Sequence, residues 1–171
     1  MRSIFDRHTG TLILQREMLQ GADLAFCDLR AADLTGELLV CADLRGSNLA
    51  VASLLGADLT GACLAGADLS RVNARSATFQ LADLVYAHLD LADCRGANFR
   101  AANLHGARLH GTDLRGANLC GTDLTAADFR TLLLDGAVFN EHTRWPQALD
   151  PREYGAVYVS QDPFSQTVRR R

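Results

Sequence analysis

Twenty carboxylates, five histidines, five cysteines and seventeen basic residues, all of them arginine, are what this 171-residue chain could use for chemistry. His88, Asp90, Arg108 and His110 fall two and twenty residues apart and predict a square on one surface. A His/Asp group of that kind can hold a metal ion. It can equally form a charge-balanced ladder of cross-strand pairs, each contributing roughly 0.2–1 kcal/mol, and the ladder is the expectation. Arg75, Arg95 and Arg115 recur every twenty residues, and Asp93 and Asp113 stand two before the upper two. That column is a candidate anion- or protein-docking strip, or a neutralised Arg/Asp ladder. The cysteines show neither CxxC nor Cys/His spacing, so neither a zinc site nor a disulfide framework is indicated. No phosphate loop, Ser/His/Asp arrangement or nucleophile elbow is present. The expectation is a protein without enzymatic activity, cofactor or metal.

What would position these residues is a repeat of five. Every fifth residue from Leu24 to Phe139 gives 24 positions, of which 18 are Leu and four are Phe, with Ala74 and Cys94 the others. Two residues before each centre, 17 of 24 are Ala, and one before, 16 are Asp or Asn. All twelve glycines between Gly21 and Gly136 lie two residues after a centre. A helix would scatter positions five apart around its surface. In an extended segment the centre and the Ala two before it share one side, while Asp/Asn and the residue after the centre face the other. The fifth residue must turn the chain, which favours Gly. Each unit is therefore a short strand plus a corner, winding into a solenoid. The register places Cys27 and Cys94 inward, Cys63 and Cys120 outward, and Cys41 at a corner; whether Cys41 and Cys63 come close enough to pair stays open.

Several features repeat every twenty residues: Gly36, Gly56, Gly96, Gly116 and Gly136 at one corner, the arginine column, and Phe79, Phe99 and Phe139 on one side. A coil of four units follows. Ala74 precedes Phe79 and Cys94 precedes Phe99, so a small centre beside a large one keeps core volume constant.

The units GADLT-GACLA-GADLS and GTDLR-GANLC-GTDLT resemble those of the pentapeptide-repeat family, A(D/N)LXX. The resemblance covers residues 21–141 and implies an all-β fold, a right-handed quadrilateral parallel β-helix of about six coils with capping segments at both ends. It also implies little about function, since the same tower serves many roles. Some members confer drug resistance by acting on DNA gyrase as mimics of duplex DNA.

The expected organisation is an N-terminal cap at 1–20 formed by a short β-hairpin, the repeat tower at 21–141, and a C-terminal cap with a flexible arginine tail at 142–171. Trp145, Leu149, Tyr154 and Val157 are expected to cover the last coil. Glu37-Leu38-Leu39-Val40 puts a carboxylate at an inward slot, where an unpaired charge would cost several kcal/mol; a distorted coil or a shift of Glu37 to solvent is expected. Leu132, Leu133 and Val138 overfill a slot and expose apolar surface, a candidate self-association patch for a homodimer through the C-terminal end.

Composition limits the partners. Net charge is −3, and residues 21–140 carry 13 Asp, one Glu and nine Arg, a net of −5. A strongly basic nucleic-acid binder is excluded, and no apolar run is long enough for a membrane helix. The expected function is a protein-binding or scaffold module, located in the cytoplasm for want of a secretory signal and given the odd cysteine count. The alternative is a DNA-mimicking, gyrase- or topoisomerase-interacting resistance protein.

Overall fold

The computed structural model describes residues 2–16, 18–131, 133–147 and 149–160. From Asp23 to Arg144 the backbone forms parallel bridges, and residue after residue pairs with the one twenty further on: Asp23 with Asp43, Asp43 with Cys63, Cys63 with Asp83. Each coil is therefore four five-residue units, and the chain stacks on itself. Among the described residues, named strands occur only at the ends, because within the tower each side contributes one bridged residue between two corners.

One rule of hydrogen bonding repeats at every unit. The centre's N–H donates one coil ahead, as from Leu44 to the Cys63 carbonyl at 2.7 Å, and the preceding N–H donates one coil back, as from Asp43 to Ala22 at 2.9 Å. The corner is closed by an N–H donated three residues back, as from Ala62 to Leu59 at 3.0 Å. Gly61 within that turn has φ +65°, the conformation demanded at the third position of a type II turn. The Asp or Asn before each centre caps the corner: Asp58 Oδ1 accepts the Thr60 N–H at 2.9 Å, and Asp68 Oδ1 that of Ser70 at 2.9 Å. That is why short acceptor side chains recur there.

Inside, the Leu and Ala positions form one continuous core, most of them 0–2% exposed. Phe79 and Phe99 stack in adjacent coils with centroids 4.9 Å apart and planes 4° apart, beside the small Ala74 and Cys94. Hydroxyls in inward slots reach main-chain carbonyls: Thr112 to Leu89 and Thr122 to Phe99, both at 2.7 Å. Burial without cost requires such a partner.

At the N-terminus, β1 (Arg2–Phe5) pairs antiparallel with β2 (Leu12–Arg16), and the Asp33 N–H donates to the Phe5 carbonyl. At the other end β3 (Val138–Phe139) pairs in parallel with β4 (Val157–Tyr158), and Arg144 bridges Asp123, so the closing segment extends the same ladder. Trp145 packs on Phe129 and Phe139 at 6.4 and 5.8 Å. Tyr154 and Val157 lie against the last coil, Tyr154 beside Ala127 and Phe129 and Val157 paired with Val138, but neither is buried there: they are 45% and 49% exposed, whereas Pro151 and Ala156 are buried. In a strand alternate residues face inward, so burying Ala156 turns its neighbour Val157 out.

Two other expectations are corrected. The coil is not distorted at Glu37: Leu38 bridges Asp58, Asp58 N–H donates to the Glu37 carbonyl, and Glu37 is half-buried in its slot. The ladder is built from main-chain groups that any residue but proline supplies, so a polar side chain does not break it. Cys120 faces outward in register but is only 2% exposed, because the closing segment lies over it; Asn140 and His142 line a cleft of about 250 Å³ with it. Leu132 and Arg169 to Arg171 lie outside the described residues.

Candidate interaction surface

The arginine column stands on the side centred on Leu34, Leu54, Ala74, Cys94, Leu114 and Leu134. Parallel bridges Asn73–Asp93 and Asp93–Asp113 set its rungs one coil apart. Arg95 meets Asp93 at 2.7 Å and reaches Asp113 of the next coil at 3.6 Å, while Arg115 meets Asp113 at 2.6 Å. Hydrogen bonding to Arg95 holds the Asp93 carboxyl below its usual range, and Arg115 does the same for Asp113. Arg75 has Asn73 instead of Asp at the pairing position and makes no ion pair among the described residues; its charge reaches Asp93 only through space. The arginines of these pairs reach into solvent, which screens the attraction and leaves each pair a small contribution to stability. Behind them burial pushes the Cys94 thiol up, and the two nearby aspartates add to that.

On the neighbouring side, the sequence square resolves into one pair. Arg108 meets Asp90 at 3.0 Å, across one coil. His88 bridges Asp68 and Arg108 through the backbone. Neither the His88 nor the His110 ring makes a hydrogen bond or ion pair within the described residues. No group of three or more His, Cys, Asp or Glu that could hold a metal occurs among them. Cys41 and Cys63 are both free thiols, and the Cys41 Sγ rests over Gly61. In the self-association patch, Leu133 is 38% exposed and Val138 is half-buried in β3.

Two surface features escaped the sequence reading. The first is a polar chain on the side centred on Leu104 and Leu124. His105 Nδ1 lies 2.8 Å from Thr125 Oγ1, Thr125 donates to Asp123 at 2.6 Å, and Arg144 donates to Asp123 at 2.8 Å. Burial pulls the Asp123 carboxyl up, but Thr125 and Arg144 outweigh it and leave it below the usual range. Its signal was the shared column of His105 and Thr125, twenty apart.

The second is a set of bulky apolar corners: Phe26, Leu81, Tyr86 and Leu91 have φ of 59°, 59°, 55° and 60°. They are 81%, 59%, 61% and 50% exposed. Left-handed backbone is disfavoured for every residue with a Cβ; glycine supplies it at many of the other corners, and residues such as Ala31, Ser76 and Ala101 hold it at several more. Each of the four bulky side chains except Leu81 leans onto a glycine one coil ahead. A Cβ on Gly46 would lie 2.6 Å from the Phe26 ring, one on Gly111 2.8 Å from Leu91, and one on Gly106 would meet the Tyr86 ring. The signal was legible as a large residue two after a centre, followed twenty residues on by Gly.

A family model of pentapeptide repeats, in eight copies, matches residues 38–73, 77–116 and 102–141. None of the curated proteins compared with the chain matches it. Among solved structures the chain is similar to a pentapeptide repeat protein from the cyanobacterium Cyanothece 51142, at 32% identity over 60% of this chain and 63% of that one, with a TM-score of 0.31. It thus spans less than two thirds of that protein. HetL, a pentapeptide repeat protein involved in heterocyst differentiation regulation from Nostoc sp. strain PCC 7120, is 31% identical over 82% of this chain and 69% of its own, with a TM-score of 0.30. QnrB1, a plasmid-mediated fluoroquinolone resistance protein, is 18% identical over 85% and 86%, with a TM-score of 0.48.

Proposed function

Because the chain belongs to the pentapeptide-repeat family, we propose that it is a non-enzymatic protein-binding or scaffold module built on a right-handed quadrilateral β-helix. One observation carries the reading. The interior is filled by Leu, Ala and Phe to 0–2% exposure, so recognition falls to the outside, where side chains stand in straight columns one coil apart. A rigid ladder of that kind presents groups at fixed spacing with little ordering cost on association. The partner is a protein; nucleic acid, membrane and cofactor have no part in the proposal, and the cytoplasm is the proposed location. Affinity capture with the purified tower, followed by reconstitution from the two purified components, tests it. Failure of every captured protein to rebind in pure form overturns it.

The alternative, protection of gyrase or another topoisomerase by mimicry of DNA, is favoured by the tower's net charge of −5. Six coils at the usual strand spacing span about 29 Å, over which a duplex carries about 17 charges, so the resemblance in charge is weak. Supercoiling assays with and without a quinolone decide it: neither protection nor inhibition removes this reading. A homodimer through the C-terminal end remains part of the proposal through Leu133, and an unchanged dimer mass for Leu133→Asp in light scattering sinks it.

A further inference from the structure

We infer that the edge carrying Phe26 and Tyr86 is a docking strip for an extended segment of a partner protein. The segment would have two apolar side chains four residues apart and a Lys or Arg midway between them. The inference rests on the protein-binding reading above and names the partner's chemistry. Phe26 and Tyr86 occupy the same corner of their coils, sixty residues and therefore three coils apart. Phe26 is the most exposed large apolar side chain among the described residues, at 81%, and Tyr86 is 61% exposed. Both hold the left-handed conformation that glycine adopts at this corner in Gly46, Gly66 and Gly106. Neither burial nor backbone preference selects an aromatic ring there. The rings lean the same way, over Gly46 and Gly106, and leave Gly66 between them bare, with nothing within 4 Å of where its Cβ would be.

The spacing fixes the conformation of the occupant. Three coils place the rings about 14 Å apart along the tower, and residues i and i+4 of an extended chain lie about 13–14 Å apart on one side. The i+2 side chain points the same way and falls between the bare Gly66 and the Tyr86 corner. There the charge is negative: Asp68, two residues past Gly66, accepts the Ser70 N–H and makes no ion pair among the described residues. Arg45, one coil away on the side before this corner, is already held by two-point hydrogen bonds to Asp43, and Arg71 stands at the next corner, three residues past Asp68, with no ion pair to it. His88 and Asn48 stand above and below Asp68 in its column, and across the corner Asp83, which pairs with Cys63 and accepts the Val85 N–H, likewise makes no ion pair among the described residues. A Lys or Arg at i+2 therefore meets carboxylates that make no ion pair, between two rings, which also favour cations at their faces.

The probe is a synthetic peptide with the core Leu-Ser-Lys-Ser-Leu, titrated at pH 7.5 into the full chain labelled with 3-fluorotyrosine. The chain has three tyrosines, Tyr86, Tyr154 and Tyr158, so the fluorine spectrum reports the edge separately from the C-terminal end. The Tyr86 signal should move saturably while the other two stay fixed. Replacing Lys by Glu, or setting the leucines three apart, should weaken binding at least tenfold. Phe26→Ala should weaken it at least fivefold. Asp68→Asn, which keeps the hydrogen bond to Ser70, should weaken it at least threefold and lessen its salt dependence. Movement of all three signals together, or an unchanged midpoint in Phe26→Ala, overturns the proposal. So does a Tyr86 signal that moves with protein concentration alone, which puts a second copy on the edge. An unmoved Tyr86 in a tower that still rebinds a purified partner sinks the strip and leaves the binding-module reading standing.

Discussion

Corner packing gives a stability difference that the backbone alone does not. Gly46 and Gly56 have nearly the same conformation, φ +59° and +63°. Placing Ala in left-handed backbone costs roughly 1–2 kcal/mol. The less flexible unfolded chain offsets roughly 0.4–1 kcal/mol of that, leaving about 1 kcal/mol for Gly56→Ala, whose Cβ meets nothing within 4 Å. In Gly46→Ala the new Cβ would lie 2.6 and 2.7 Å from two Phe26 ring carbons. Overpacking costs about 1–3 kcal/mol, and because the ring is 81% exposed and can swing away, the low end applies. Gly46→Ala should therefore cost about 2 kcal/mol, and in a Phe26→Ala background it should return to about 1. Urea unfolding at constant m-value measures all four proteins, and the cycle should show a coupling of about 1 kcal/mol. Equal losses for Gly46→Ala and Gly56→Ala, or a coupling of zero, would refute the account of large corners resting on glycines.

Three more outcomes are expected. Phe99→Ala should destabilise by about 3–5 kcal/mol, and Ala74→Leu by about 1–3 through overfilling; a loss under 1 kcal/mol for Phe99→Ala would contradict the stacked pair. Asp28, Asp43, Asp93 and Asp113 titrate below the ordinary carboxylate value of 3.8 because of Arg30, Arg45, Arg95 and Arg115. Their stabilisation is present above that value and is lost as pH falls through the lowered ones. The urea midpoint should hold from pH 8 to 5 and fall below about pH 4, less steeply in Arg95→Gln; a fall between pH 7 and 5 would count against it. Cys41 is exposed whereas Cys94 is wholly buried with its thiol pushed up. Iodoacetamide followed by mass spectrometry should label Cys41 in the folded chain and Cys94 only after unfolding; early labelling of Cys94 would reverse the assignment.

The repeat is legible in the sequence because each position in the unit answers to a local demand: a left-handed corner, a short acceptor before the centre, an apolar centre. Side chains in one column twenty residues apart were legible too, once the coil length was known, and this located the Arg95 pairs and the Asp90–Arg108 pair. What failed was any inference from register to exposure near an end. Cys120 is outward in register yet buried, because cover there comes from a segment outside the repeat. The square of His88, Asp90, Arg108 and His110 reduced to one ion pair because adjacency in a ladder fixes backbone distance and leaves side-chain direction free.

By itself the sequence determined the coil: its five-residue unit, its four units per turn and which residues form the core. These follow from main-chain hydrogen bonding and apolar burial, which act the same way at every repeat. Only the tertiary structure decided the surface. There the rings of Phe26 and Tyr86 lean onto glycines of the next coil, Arg95 shares itself between two aspartates, and His105 finds Thr125. These arrangements depend on rotamers and on neighbours eighteen to twenty residues away, which no local pattern specifies.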